Sequence, residues 1–297
     1  MTDMRSRAAE TVCELFQEDP RLAVVLAEIS VERFAAALDH DASRAVNVGI
    51  MEQTMVGVAA GFAMEGFHPV VHTIAPFVAE RALEQLKLDF GNQGLGGLVI
   101  TVGGSYDYAS EGTTHHSPGD VQAVLTIPGV EVLVPGTGEE AARLIRQTYD
   151  DGRLTYLRTQ MTANTRTRDV QAGRISVERR GDGPTVIAVG PMLDRTLAAL
   201  ADTDATVLYA TTVAPFDAAG LRAAMTGDEV VVVEPTFAGT LAPLVAEALS
   251  DRSVRLRSVG VPRRVIREYG TPEQLDAVVA LDTEGIRSQL FREWPSA

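Results

Sequence analysis

Three places along the chain hold side chains suited to chemistry. The first is Glu52, in the stretch NVGIMEQTMVGVAAGFAMEG, where a short strand runs into a helix. Open α/β sheets bind ligands beyond the carboxyl ends of their strands, so a carboxylate there can meet one. The first turn of a helix also favours a carboxylate with no ligand at all, through the macrodipole. On spacing alone both readings stay open. Gly57, Ala59, Ala60 and Gly61 follow, small enough to let another backbone approach closely.

The second place is Glu111-Gly-Thr-Thr-His115-His116-Ser117, in a polar, glycine-containing loop over 103–120. Loops of this length inside a compact domain are usually functional. Tandem histidines in extended backbone point in different directions, and Glu111 and Asp120 give no metal-ligand spacing, so no metal site is read here. A loop histidine is either a surface residue or a group that handles substrate protons near neutral pH. The third place is Phe77, just after a strand. It is either core or a platform on which a flat heterocycle stacks.

The elements that must position these groups alternate short β-branched runs with helical patterns, which predicts an α/β protein with largely parallel sheets. Helix is expected over 5–18, 51–64, 78–90 and 138–150, and strand over 21–29, 45–48, 69–73, 97–102, 130–134 and 155–157. Gly66 is the expected stop of the helix carrying Glu52. A second alternation follows: strands at 185–189, 206–210, 229–233 and 254–259, with helices at 193–201, 218–225 and 240–249. The expected organisation is two doubly wound, mostly parallel-sheet domains, 1–162 and 184–297, joined by a polar linker at 163–183.

Composition narrows the function classes. Forty acidic against 26 basic residues give a net charge of −14, and no basic run exceeds Arg179-Arg180 or Arg263-Arg264, which argues against a nucleic-acid partner. A single cysteine, Cys13, excludes an internal disulfide. No apolar run approaches the roughly 20 residues of a membrane span and no signal-peptide core is visible, so a cytoplasmic enzyme is expected. The dinucleotide fingerprint, the P-loop, the G-x-S-x-G elbow and H-E-x-x-H are all missing. Gly181-Asp182-Gly183 follows no strand and precedes Pro184, and reads as a turn.

Taken in order, the motifs resemble the transketolase superfamily. Asn47-Val48-Gly49-Ile50-Met51-Glu52-Gln53 is similar to N-x-G-I-x-E-Q, and Val56–Gly61 resembles the helix that follows it. Phe77 with Arg81-Ala82, the Glu111–His115 version of D-G-x-T-H, Pro128-Gly129-Val130, Val134-Pro135, Val213–Asp217 and Gly270-Thr271-Pro272 fall in family order along nearly the whole chain. The resemblance is strongest to the C-terminal subunit of split transketolases, comprising a thiamin-diphosphate pyrimidine-binding domain and a transketolase C-terminal-like domain.

That resemblance implies a catalytic assignment. Glu52 would hydrogen-bond the pyrimidine of thiamin diphosphate and activate it, Phe77 would stack on the ring, and Ile50, Met51 and Arg81 would flank it. Glu111, His115 and His116 would contact substrate, with His115 assisting proton transfer and Arg158 meeting a phosphate. The chain lacks the family's diphosphate and Mg²⁺ element, so an N-terminal partner subunit is implied, in an α2β2 assembly carrying out two-carbon ketol transfer. Two departures stand out: Glu32 and Gly103 occupy positions where the family places a Ser and a His that meet phosphate. They imply an unusual, specialised or carrier-bound substrate. His115-His116-Ser117 leaves the E1 β subunit of a 2-oxoacid dehydrogenase as an alternative, and a non-catalytic scaffold as another.

Overall fold

The computed structural model describes residues 3–292. The chain opens with helix α1 (Met4–Glu18), whose N-terminus is capped by Asp3. Strand β1 (Leu22–Leu26), helix α2 (Ala35–His40), strand β2 (Ala45–Asn47), helix α3 (Glu52–Met64) and strand β3 (His68–Ile74) follow. Then come β4 (Gly97–Val102), β5 (Glu131–Leu133) and β6 (Leu154–Arg158). These strands lie parallel, in the order β2-β1-β3-β4-β6-β5.

The β1 run LAVVL is buried throughout, as a parallel strand covered on both faces must be. Its alternation still decides which side each residue serves. Val24 and Leu26 pack with Val12 and Phe16 of α1, while Val25 packs with Met55 and Val56 of α3. The sheet thus holds α3 against one face, with Glu52 at the strand-end edge. Gly66 ends α3 with a positive φ of 85°, and Phe67 N–H returns to the Phe62 carbonyl, closing the C-terminal turn.

The expected continuous helix at 78–90 is not regular. Wide π-type turns over Phe77–Arg81 and Leu86–Asn92 flank one short α turn, Leu83–Gln85. Such turns concentrate at functional sites, and here the widened turn sets Arg81 over Phe77.

The second sheet has the order β12-β11-β8-β9-β7, from β7 (Ile175–Arg179), β8 (Thr185–Val189), β9 (Thr206–Ala210), β11 (Glu229–Phe237) and β12 (Arg255–Val261). Strand β7 lies within the stretch read as linker, pairs antiparallel with β9 and forms an edge of the second sheet. The short β10 (Thr212–Ala214) crosses over and pairs antiparallel with β5, extending the first sheet to seven strands. Beyond β12 a helix at Pro272–Val278 starts from a reciprocal cap between Thr271 and Gln274, and another spans Thr283–Leu290. Among the described residues, no helix is long and apolar enough to cross a membrane.

Candidate active site

Asn47, at the end of β2, shapes the turn that delivers Glu52. Its side-chain oxygen accepts from the backbone N–H of Glu28 (3.0 Å) and Gly49 (3.1 Å), while its amide donates to the Glu28 carboxylate at 2.9 Å. Gly49 takes a φ of 77°, which a side chain would resist. The sequence signal for this role is the Asn-x-Gly spacing.

Glu52 then enters the first turn of α3 with no solvent exposure. Arg81 donates to its Oε2 at 2.7 Å, and Thr73 approaches Oε1 at 3.4 Å. The Arg81 guanidinium also lies 4.3 Å above the Phe77 ring, which meets His115 edge-on with centroids 5.3 Å apart. Tyr108 holds the same imidazole at 5.9 Å, and Thr114 Oγ1 lies 3.0 Å from its Nδ1. Glu52, Arg81, Phe77 and His115 therefore form one continuous string of contacts, with Ile50 and Met51 exposed beside it. A buried carboxylate and a half-buried aromatic face fit an aminopyrimidine, once Arg81 moves aside.

Other expected residues stand elsewhere. Glu111 is exposed on the loop. Glu32 sits on an exposed 3₁₀ turn beside Arg33, at 3.9 Å. His116 is buried and lines a cleft with Phe237 and residues 263–266 of the C-terminal part of the chain. Arg158, expected to meet a phosphate, is wholly buried, with Nε on Asp120 at 2.7 Å and further bonds to Gln160 and Ser105. In this structure the guanidinium is engaged as an internal strut.

The Gly103-Gly104 departure has a steric origin. Gly103 takes a φ of 76°, and a side chain there would overlap the Tyr108 ring; a Cβ on Gly104 would lie 2.5 Å from Arg158 Cζ. Tyr108 thus fills the place a residue at 103 would use. Nearby, Ser30 accepts from Arg5 Nε (2.7 Å) and lies 2.8 Å from His72 Nε2, while His72 Nδ1 meets the Ile100 carbonyl at 3.0 Å. Burial pushes the His72 pKa down to about 3, so its ring is neutral, with Nδ1 donating and Nε2 accepting from Ser30.

The loop that carries His115 is clamped by the second domain. Tyr106 donates to Asp276 at 2.7 Å, Asp276 pairs with Arg195 at 2.5 Å, and Thr113 donates to the Ile266 carbonyl at 3.1 Å. Asp107, in the same loop, accepts from Met161 N–H at 2.8 Å, yet burial raises its carboxyl to about 7. The folded chain therefore keeps a proton between about pH 4 and 7 that the unfolded chain releases, and stability falls as pH rises through that window. Urea titrations of Asp107→Asn should show it gaining about 1–3 kcal/mol on the wild type between pH 5 and pH 7. An unchanged difference would place the titration elsewhere.

Comparison with known proteins agrees with this geometry. Residues 1–165 match the transketolase pyrimidine binding domain, and residues 173–286 match the transketolase C-terminal domain. The chain belongs to the transketolase family. It is 42% identical over 294 residues to an uncharacterized 33.6 kDa protein in the fasciation locus of Rhodococcoides fascians, covering 97% of this chain and 94% of that one. It is 31% identical to a 6-deoxy-6-sulfo-D-fructose transketolase subunit of a Clostridium strain, covering 95% and 92% respectively. A solved split gene transketolase, described as an inactive β4 tetramer, superposes with a TM-score of 0.84 at 24% identity, over 97% of this chain and 96% of that one.

Proposed function

We propose that this chain is the pyrimidine-binding half of a thiamin-diphosphate-dependent ketol transferase completed by an N-terminal partner subunit. The observation that carries the proposal is Glu52: a fully buried carboxylate at a strand end, in one string of contacts with Arg81, Phe77 and His115. Bound there, thiamin diphosphate supplies the nucleophilic carbon and the electron sink for cleaving and remaking a carbon–carbon bond. Glu52 holds the pyrimidine ring nitrogen and its proton. Phe77 offers a face for that ring, and His115, edge-on to Phe77, is placed for a donor hydroxyl to lose or regain a proton.

The diphosphate and Mg²⁺ are assigned to the partner, since this sequence lacks the element that holds them. The exposed Ile50 and Met51 beside Glu52 supply apolar surface for the cofactor or the partner to cover. An α2β2 assembly is the expected form. The two relatives above extend over nearly the same length, and one of them is named as a subunit.

For the substrate, the engaged Arg158, the exposed Glu32 and the side-chain-free Gly103 all favour a donor or acceptor that is not an ordinary sugar phosphate. The relative named for a sulfonated sugar supports the same direction. The test is reconstitution with an N-terminal subunit. Calorimetry should show thiamin diphosphate and Mg²⁺ binding to the pair, and ketol transfer should be faster from sulfonated or unphosphorylated ketoses than from xylulose 5-phosphate. A pair that binds no cofactor sinks the proposal. Decarboxylation of a 2-oxoacid without ketol transfer points instead to the E1 β reading.

A further inference from the structure

A cleft of about 480 Å³ opens where the second domain meets the far side of the catalytic loop. Its volume lies in the range of small-molecule sites, which favour domain junctions. His116 lines it. The imidazole is only 7% exposed, and apart from an approach to the Tyr108 backbone neither ring nitrogen has a hydrogen-bond partner of good geometry. Leaving such a group unpaired is costly, and buried polar atoms without partners mark places where something is missing. Across from it stand Phe237 and the guanidinium groups of Arg263 and Arg264. Arg263 lies 5.4 Å over the Phe237 ring and reaches Gln122 at 3.0 Å; among the described residues, the Arg264 side chain has an exposed pair with Glu268 at 3.4 Å.

We propose that this cleft binds a small organic anion with a flat apolar body, its charge on Arg263 and Arg264, its body on Phe237 and a polar edge on His116. The aromatic wall suits the apolar body and the two guanidinium groups suit a phosphate or carboxylate. Glu80, at the exposed rim, is the one carboxylate lining the cleft that opposes an anion. Its pKa is raised by burial and by the charge of Asp120, which lessens the repulsion. An occupant would also touch the catalytic loop, because His116 adjoins His115 and Thr113 is bonded across the cleft to Ile266.

Phenyl phosphate is the probe, with inorganic phosphate measuring the contribution of charge alone. Titrated into the full chain by calorimetry, phenyl phosphate should bind with a Kd at or below about 1 mM, and inorganic phosphate more weakly. The double variant R263Q/R264Q, altering surface arginines, should weaken phenyl phosphate by about tenfold or more. In NMR, the imidazole signals missing from H116Q should shift during the titration. Equal affinity for the double variant, or an unmoved His116 signal, overturns the proposal. So does loss of phenyl phosphate binding once the partner subunit is added, which would make the cleft a socket for protein.

Discussion

Glu52→Gln, assembled with the partner subunit, should lose about 10²–10⁴-fold in kcat while folding as well as the wild type. Glutamine keeps the shape of the side chain and can still accept a hydrogen bond, but it cannot carry the charge that holds a proton on a pyrimidine nitrogen. The structural cost is small. Among the described residues, the charged partner Glu52 loses is Arg81, whose side chain is 42% exposed and can turn to water, so the stability change should stay below about 1 kcal/mol. Thermal melts of the variant chain separate the two effects from each other. Full activity in the Gln variant would show that Glu52 is only a helix-end carboxylate, the reading its spacing alone allows.

Arg81 gives that experiment a companion. In this structure it bonds the Glu52 carboxylate and covers the face of Phe77, the two surfaces a pyrimidine would need. An incoming ring must displace it, so calorimetric titration of Arg81→Ala should change cofactor affinity without the loss of turnover expected of Glu52→Gln.

Much of the scaffold could be read from the sequence because parallel strands are nearly continuous apolar runs. Gly97–Val102, Thr185–Val189 and Thr206–Ala210 fall at the expected bounds. Strand β7 leaves only a short trace of periodicity, at Arg174–Val177, because an edge strand is half solvated, and Ile175–Arg179 carries Ser176, Glu178 and Arg179 among its five residues. Strand β10 was hidden for a different reason. Its three residues become a strand only by pairing with Leu133 and Val132, some 80 positions earlier, and no local pattern encodes that. The π-type turns around Arg81 have no periodic signature either, since their residues still read as helix formers.

At the site, motif order located Glu52, Phe77, Arg81 and His115, and the structure brings these four together. What motif order could not convey was which groups are already committed. Arg158 carries the type and position of a phosphate ligand, yet Asp120, 38 residues earlier, claims it. The tandem histidines likewise part, His115 to the aromatic rings and His116 to the interdomain cleft.

Asp120→Asn should be the most destabilising of these changes, by about 3–5 kcal/mol, or roughly 10 °C in Tm. Both Asp120 and Arg158 are completely buried, and Asp120 Oδ2 accepts from Arg158 Nε at 2.7 Å and from Tyr156 Oη at 2.9 Å. An amide oxygen in the place of Oδ2 can keep both hydrogen bonds, but the change leaves a guanidinium in the interior without its counter-charge. Gln160 and Ser105 are neutral and cannot replace it. Removing both charges is a different matter. Asp120→Leu combined with Arg158→Met should recover much of the loss, because a buried ion pair exchanged for apolar groups of similar volume is often close to neutral. A phosphate-receiving Arg158 predicts the opposite pattern: Asp120→Asn would leave the melt nearly unchanged and instead alter KM for phosphorylated donors. Melting the single and double variants therefore decides whether Arg158 holds the fold or the substrate.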